Sequence, residues 1–305
     1  MKRRQSLVAA VGALLVPLMA GCDSVGPVQA SASSRLVVVA AENFWGSIAA
    51  QLGGDRVVVT SIVTDPNADP HEHEASPADA RLLASANYVI VNGAGYDTWA
   101  DEVLAAQPEA ARRVLTVATL LGKRPGDNPH FWYDPAYVDQ VIARISADYA
   151  ALDPSEAAYF QAQSTKFSRL LAPYRERIAY IQQHFGGVRI AGTESVFQYM
   201  AQYLRLDLIT PYAFMEAVAE GNDPPSPGLV TFTRQIQARA FAVLVFNAQT
   251  ITPLTTSLED QTAAAHLPTV PVTETLAPQS ATFEAWMDGE LDALITALQT
   301  GSGSA

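Results

Sequence analysis

The first part of the chain alternates short apolar runs with amphipathic stretches. Leu36 to Ala40 is a continuous apolar run of strand length. Glu42 to Leu52 then carries its apolar residues at helical spacing and stops at Gly53-Gly54. Val57 to Ile62, Tyr88 to Val91 and Val114 to Val117 read as further strands. Ser76-Pro77 with Asp79 predicts a capped helix start, and Asn92-Gly93-Ala94-Gly95 a sharp turn. Buried strands separated by helices imply an α/β fold, a mostly parallel sheet flanked by helices on both faces.

Asp134-Pro135 opens another helix, to about Ala151, and Asp153-Pro154-Ser155-Glu156 repeats the same start. The stretch that follows, to about His184, places Phe160, Phe167, Leu171, Tyr174, Ile178, Ile181 and Phe185 on one helical face. Pro173 interrupts it and predicts a kink. Gly186-Gly187 ends it. This long helix is either a core helix or a stiff spacer between two α/β halves. In the second half, Val188 to Ala191, Leu206 to Ile209, Ala242 to Phe246 and Thr269 to Val272 read as strands. Val196 to Leu204, Phe232 to Arg239, Gln261 to His266 and Phe283 to Leu298 read as helices, and Gly221 to Gly228 as a Pro/Gly-rich loop. There is no simple sequence repeat, yet the two halves share one pattern.

The N-terminus changes the compartment. Lys2, Arg3 and Arg4 precede an uncharged apolar run, Leu7 to Ala20, too short to span a bilayer comfortably. It ends at Leu18-Met19-Ala20-Gly21-Cys22 and resembles a bacterial lipoprotein signal. Residues 1–22 are therefore expected to be a leader, Cys22 to carry lipid, and residues 23–34 to form a flexible tether. Cys22 is the only cysteine, so no internal disulfide forms. The formal charge is −12, and removing the basic leader makes the remainder more acidic still. That argues against nucleic acid, whose backbone recognition requires a basic surface. No Gly-rich Lys-Ser/Thr phosphate loop is present.

Chemistry concentrates in two loops. The chain has five histidines. Two stand in Asp69-Pro70-His71-Glu72-His73-Glu74, and one in Asn128-Pro129-His130-Phe131-Trp132-Tyr133-Asp134-Pro135. A lone loop histidine is usually a surface residue. Two, each behind a proline and ahead of a helix start, form a pattern that presents rigid imidazoles, general ligands for transition metals. Open α/β sheets bind ligands beyond the C-terminal ends of their strands. His71, Glu194 and Glu274 lie at such ends. Glu194 has a simpler alternative, an acid favoured by a helix dipole, and Glu274 could equally be a solvated loop acid. An imidazole pair with carboxylates suits Zn, Mn or Fe better than Cu(I). His73 reads as a neighbour of the site; His184 and His266, near helix C-termini, receive no role.

These motifs together resemble the periplasmic or lipid-anchored solute-binding proteins of zinc and manganese ABC importers. The resemblance spans about residues 35–299. It rests on Asp69-Pro70-His71 with Glu74, Pro77 and Asp79, on Asn92-Gly93, and on the Asn128 to Pro135 run. It implies two similar lobes, 35–152 and 186–299, joined by one long helix, 153–185, with a disordered tail at 300–305. It also implies four metal ligands in the cleft: His71, His130, Glu194 in Thr193-Glu194-Ser195-Val196-Phe197-Gln198-Tyr199, and Glu274. Glutamate at 274 replaces the commoner aspartate. This ligand set is closer to that of manganese or iron importers than to three-histidine zinc sites. The loop Leu121 to Pro129 also lacks the histidine-rich insertion of many zinc importers. The implied function is a monomeric, lipid-anchored, extracytoplasmic receptor, not an enzyme. It would deliver Zn(II) or Mn(II), with Fe(II) a further candidate, to a membrane permease driven by a cytoplasmic ATPase. The rival readings are a two-lobed metallohydrolase and a metal-binding adhesin or structural lipoprotein.

Overall fold

The structure, a computed structural model, describes residues 35–302 and the isolated Ala9. The expected leader, Cys22 and the tether lie outside the described residues. The first half carries β1 (Leu36–Glu42), α1 (Asn43–Gly53), β2 (Val57–Val63), α2 (Pro77–Ser85), β3 (Tyr88–Val91), α3 (Thr98–Ala106), β4 (Arg113–Thr116), α4 (Val117–Leu120) and α5 (Pro135–Leu152). Next come α6 (Ala157–Leu170) and α7 (Ala172–Phe185). The second half carries β5 (Arg189–Gly192), α8 (Gln198–Tyr203), β6 (Asp207–Leu208), α9 (Tyr212–Ala219), α10 (Ser226–Gln237), β7 (Val243–Asn247), α11 (Pro253–Ala264), β8 (Thr269–Val272) and α12 (Phe283–Ser302).

Each half builds a four-stranded, wholly parallel sheet, in the orders β2-β1-β3-β4 and β6-β5-β7-β8. The two sheets thus share one winding, and in each the first strand in sequence lies inside the sheet. Alternation along β1 explains the two covered faces. Val38 and Ala40 join the large core with Phe44 and Trp45, while Val39 and Ala41 pack on the other side with Leu83 and Trp99. All strand C-terminal ends of a parallel sheet lie at one edge, and the loops carrying His71, Glu194 and Glu274 follow β2, β5 and β8 there.

The expected long helix is two helices. A 3-10 turn at Pro154–Glu156 precedes α6, and the chain breaks at Leu171 (ψ −1) before α7. Pro173 falls in the first turn of α7, where its missing N–H costs nothing. Bonds from Leu171 N to Phe167 O and from Arg175 N to Leu171 O, both 3.1 Å, keep the two nearly continuous. α6 packs on α1 and α5, and α7 on α12, so each belongs to a different half.

Nor is this segment the only connection between the halves. Trp132 stacks on Phe44 at 3.9 Å between ring centroids. Its neighbour Tyr133 meets Phe197 and Trp286 edge-on at 5.8 and 5.9 Å. The start of α12 returns to α1: Phe283 N donates to Ser47 Oγ and Gln51 Nε2 to Glu284 Oε2, at 2.9 and 2.8 Å. One apolar core therefore runs through both halves.

Two further expectations change. α10 begins at Ser226-Pro227, inside the stretch read as loop, because a proline in a first turn starts a helix as readily as it ends one. The expected disordered tail is helical as far as Ser302. Leu298 is fully buried, and Gly301 lies against the Ala242 carbonyl closer than a side chain allows.

Candidate metal centre

His71 follows β2 in a 3-10 turn whose shape is set locally. Pro70 fixes the entry, and Asp69 Oδ1 accepts from His71 N at 2.9 Å. A capping box between Ser76 and Asp79 then starts α2. His130 is held by the asparagine two residues before it. Asn128 donates through Nδ2 to Ser195 O and Gln198 Oε1, at 2.8 and 2.9 Å. Its Oδ1 therefore faces His130 and lies 2.7 Å from Nδ1. With an acceptor fixed there, His130 carries its proton on Nδ1 and presents an Nε2 lone pair. Glu194 follows β5 in a bend ahead of α8, not in that helix's first turn, and Glu274 follows β8; both are buried.

His71 Nε2, His130 Nε2 and a Glu274 carboxylate oxygen lie within 4.8 Å of one another. The two imidazole nitrogens stand 3.3 and 3.5 Å from Glu274 Oε2. Glu194 is outside this closest set but joined to it: Asn247 Nδ2 bonds both Glu194 Oε1 and Glu274 Oε1, at 2.5 and 2.7 Å. His71 Nε2, His130 Nε2 and Glu194 Oε2 are all buried without a hydrogen-bond partner. Orphaned polar atoms in the interior are costly, and here both imidazole nitrogens face the same Glu274 oxygen.

The remaining histidines stand apart. His73 Nε2 approaches Asp79 at 3.5 Å, and its ring lies edge-on to Trp99. His184 stacks on Tyr180 and is exposed. His266 follows the end of α11 with positive φ.

The charges are strongly coupled. Burial pulls the His71 imidazole down, but Glu274, Asp69 and Glu194 overcome it and raise its pKa to about 9. Burial, then Glu274, push Glu194 up to about 8. Burial lowers His130, with Glu274 opposing. Burial would raise Glu274, yet the two imidazoles hold it well below the usual carboxylate range. Glu274 is thus the anion at the centre, with His71 its cation. A cavity of about 210 Å³, lined by His71, His130, Asn128, Tyr96 and Glu216, gives access to this group.

Sequence reasoning missed three residues that shape the centre. Tyr96 Oη donates to Glu274 Oε2 at 2.7 Å. Gln249 Oε1 accepts from Glu274 N and Thr275 N, and its Nε2 donates to Ala68 O at 2.8 Å, tying the His71 loop to the Glu274 loop. Asn247 ends β7, a strand-end position of the same kind that pointed to the glutamates.

The family described as "Zinc-uptake complex component A periplasmic" matches residues 38–297. The chain belongs to this family. Among curated relatives, the "Iron-binding protein YfeA" of Yersinia pestis is 29% identical over 182 residues, 56% of this chain and 57% of that protein. The "Manganese-binding lipoprotein MntA" of Bacillus subtilis is 28% identical over 188 residues, 59% of this chain and 58% of that one. The matched part spans somewhat over half the length of these relatives. Among solved structures, the periplasmic zinc binding protein TroA of Treponema pallidum superposes with a TM-score of 0.72, over 87% of this chain and 99% of that one. At 14% identity the likeness establishes the fold alone. The family is one of solute-binding receptors, and its fold is the paired parallel-sheet architecture seen here.

Proposed function

We propose that this chain is an extracytoplasmic receptor that binds one transition-metal ion and delivers it to an ABC importer, a permease coupled to a cytoplasmic ATPase. His71 Nε2, His130 Nε2, Glu194 Oε2 and Glu274 Oε2 are the ligands. One observation carries the reading: two unpartnered buried imidazole nitrogens converge on one carboxylate, as a nitrogen and oxygen donor set for a borderline divalent cation requires. The metals named for the relatives are iron, manganese and zinc. For this chain the candidates are Zn(II) and Mn(II), with Fe(II) behind them. Lipid on Cys22 would hold the monomeric receptor at the membrane surface.

A set of four protein ligands would also favour a carrier over a hydrolase, because catalysis needs an open coordination position and a free base. Chelator-stripped protein titrated with Zn(II) and Mn(II) should bind one ion per chain. His71→Ala and His130→Ala should each lose that binding, while His184→Ala keeps it. Equal loss in all three variants would point to misfolding and remove the ligand assignment.

A further inference from the structure

We propose that Asn247 sets the ion preference of this centre, by holding one oxygen of each carboxylate and so favouring four-coordinate Zn(II) over Mn(II). The inference rests on the receptor reading above and deepens it.

The orientation of the amide is fixed. Asn247 Oδ1 accepts from Gln249 N at 2.9 Å, so Nδ2 must face the carboxylates. There it lies 2.5 Å from Glu194 Oε1, 2.7 Å from Glu274 Oε1 and 3.0 Å from Thr250 Oγ1. An amide nitrogen has two hydrogens, and its two shortest contacts are the two carboxylates. Both Oε1 atoms are thereby engaged. Glu194 Oε2 is left without a partner, and Glu274 Oε2 faces the two imidazoles while accepting from Tyr96. The clamp is itself anchored: Asn247 is buried at the end of β7, and Gln249 holds the backbone of Glu274 and Thr275.

Each carboxylate is therefore left with one oxygen free of Asn247. With two imidazole nitrogens this makes four donors, the number Zn(II) takes in tetrahedral sites. Mn(II) favours octahedral, oxygen-rich surroundings. To supply six donors from the same residues, both carboxylates would have to bind through both oxygens. Each Oε1 would then have to serve the ion and an Asn247 N–H at once, which weakens its hold on both. That penalty falls on Mn(II) and spares Zn(II). Asn247 acts through the glutamates and is a positioning residue.

The test has two arms. X-ray absorption on the Zn-loaded wild-type protein should find four nitrogen or oxygen neighbours and single-oxygen carboxylates. Competition between Zn(II) and Mn(II) should be compared in wild type, Asn247→Ala and the size-matched Asn247→Leu, with melting of the metal-free proteins confirming that each folds. The Zn-to-Mn affinity ratio should fall in the variants, by at most about the 10- to 100-fold that loss of a partner orienting a metal ligand costs in affinity. A merely structural role would lower both affinities and leave the ratio unchanged, which would overturn the proposal. So would five or six donors around Zn in wild type, a result that decides the matter even if the variants do not fold. Failure of wild type to bind Zn(II) or Mn(II) at all would instead remove the receptor reading on which the inference stands.

Discussion

At the scale of single residues, the centre is a set of imidazoles and carboxylates whose orientation is decided by asparagines. Asn128 fixes the His130 tautomer, so Asn128→Ala should weaken metal binding by about 10- to 100-fold. The fold should stay intact, as read by calorimetric titration beside far-UV circular dichroism. An unchanged affinity would mean that His130 finds its own orientation. The proton balance gives a second expectation. His71, raised to about 9, and Glu194, raised to about 8, are both protonated at neutral pH in the metal-free protein. Ligands must lose their protons to bind, so an ion displaces about two protons near pH 7. Apparent affinity should rise with pH through neutrality, less steeply once Glu194 ionises, and level off above the His71 pKa. Titration in buffers of different ionisation enthalpy counts the protons. An affinity flat above pH 7 would contradict the assignment, since that is the behaviour of an unperturbed imidazole and carboxylate.

At the scale of elements, the sequence disclosed whatever depends on local spacing. The strands of both sheets, the Ser76 cap and the Asp134 start are legible because their causes lie within a few residues. His71 and His130 are legible for the same reason, as each sits in a loop shaped by its own Asx turn and proline. Asn247 and Tyr96 are not. Their roles arise only when β7, β8 and the turn after β3 are brought together, and no local signal separates them from ordinary strand-end residues. Pro173 was legible as an interruption, but its consequence depends on where the helix restarts. Because α7 begins at Ala172, Pro173 occupies a position that needs no N–H. Pro173→Ala should therefore change stability by no more than about 1 kcal/mol in urea unfolding. A gain of about 3 kcal/mol, the cost of a proline inside a helix, would show that it strains a continuous one.

At the scale of the whole molecule, two like-wound sheets meet along a shared core, and the centre lies where their loops face. Phe131, Trp132 and Tyr133 follow His130 directly and carry that core from one half to the other. Interiors packed in this way do not open as a wide hinge. Solution scattering of the metal-free and metal-loaded protein should give superposable curves at low angle, with ion exchange left to the loops around His71 and Glu274. A clear contraction on loading would show that the halves move as separate bodies.

The central claim is that His71, His130, Glu194 and Glu274 together hold one transition-metal ion. Calorimetric titration of the chelator-stripped protein with Zn(II), repeated on His130→Ala, tests it most directly. The account predicts a single saturable site in the wild type, with one ion per chain, and no such site in the variant. Binding of equal affinity and stoichiometry in the two proteins, or no binding in the wild type, would contradict it.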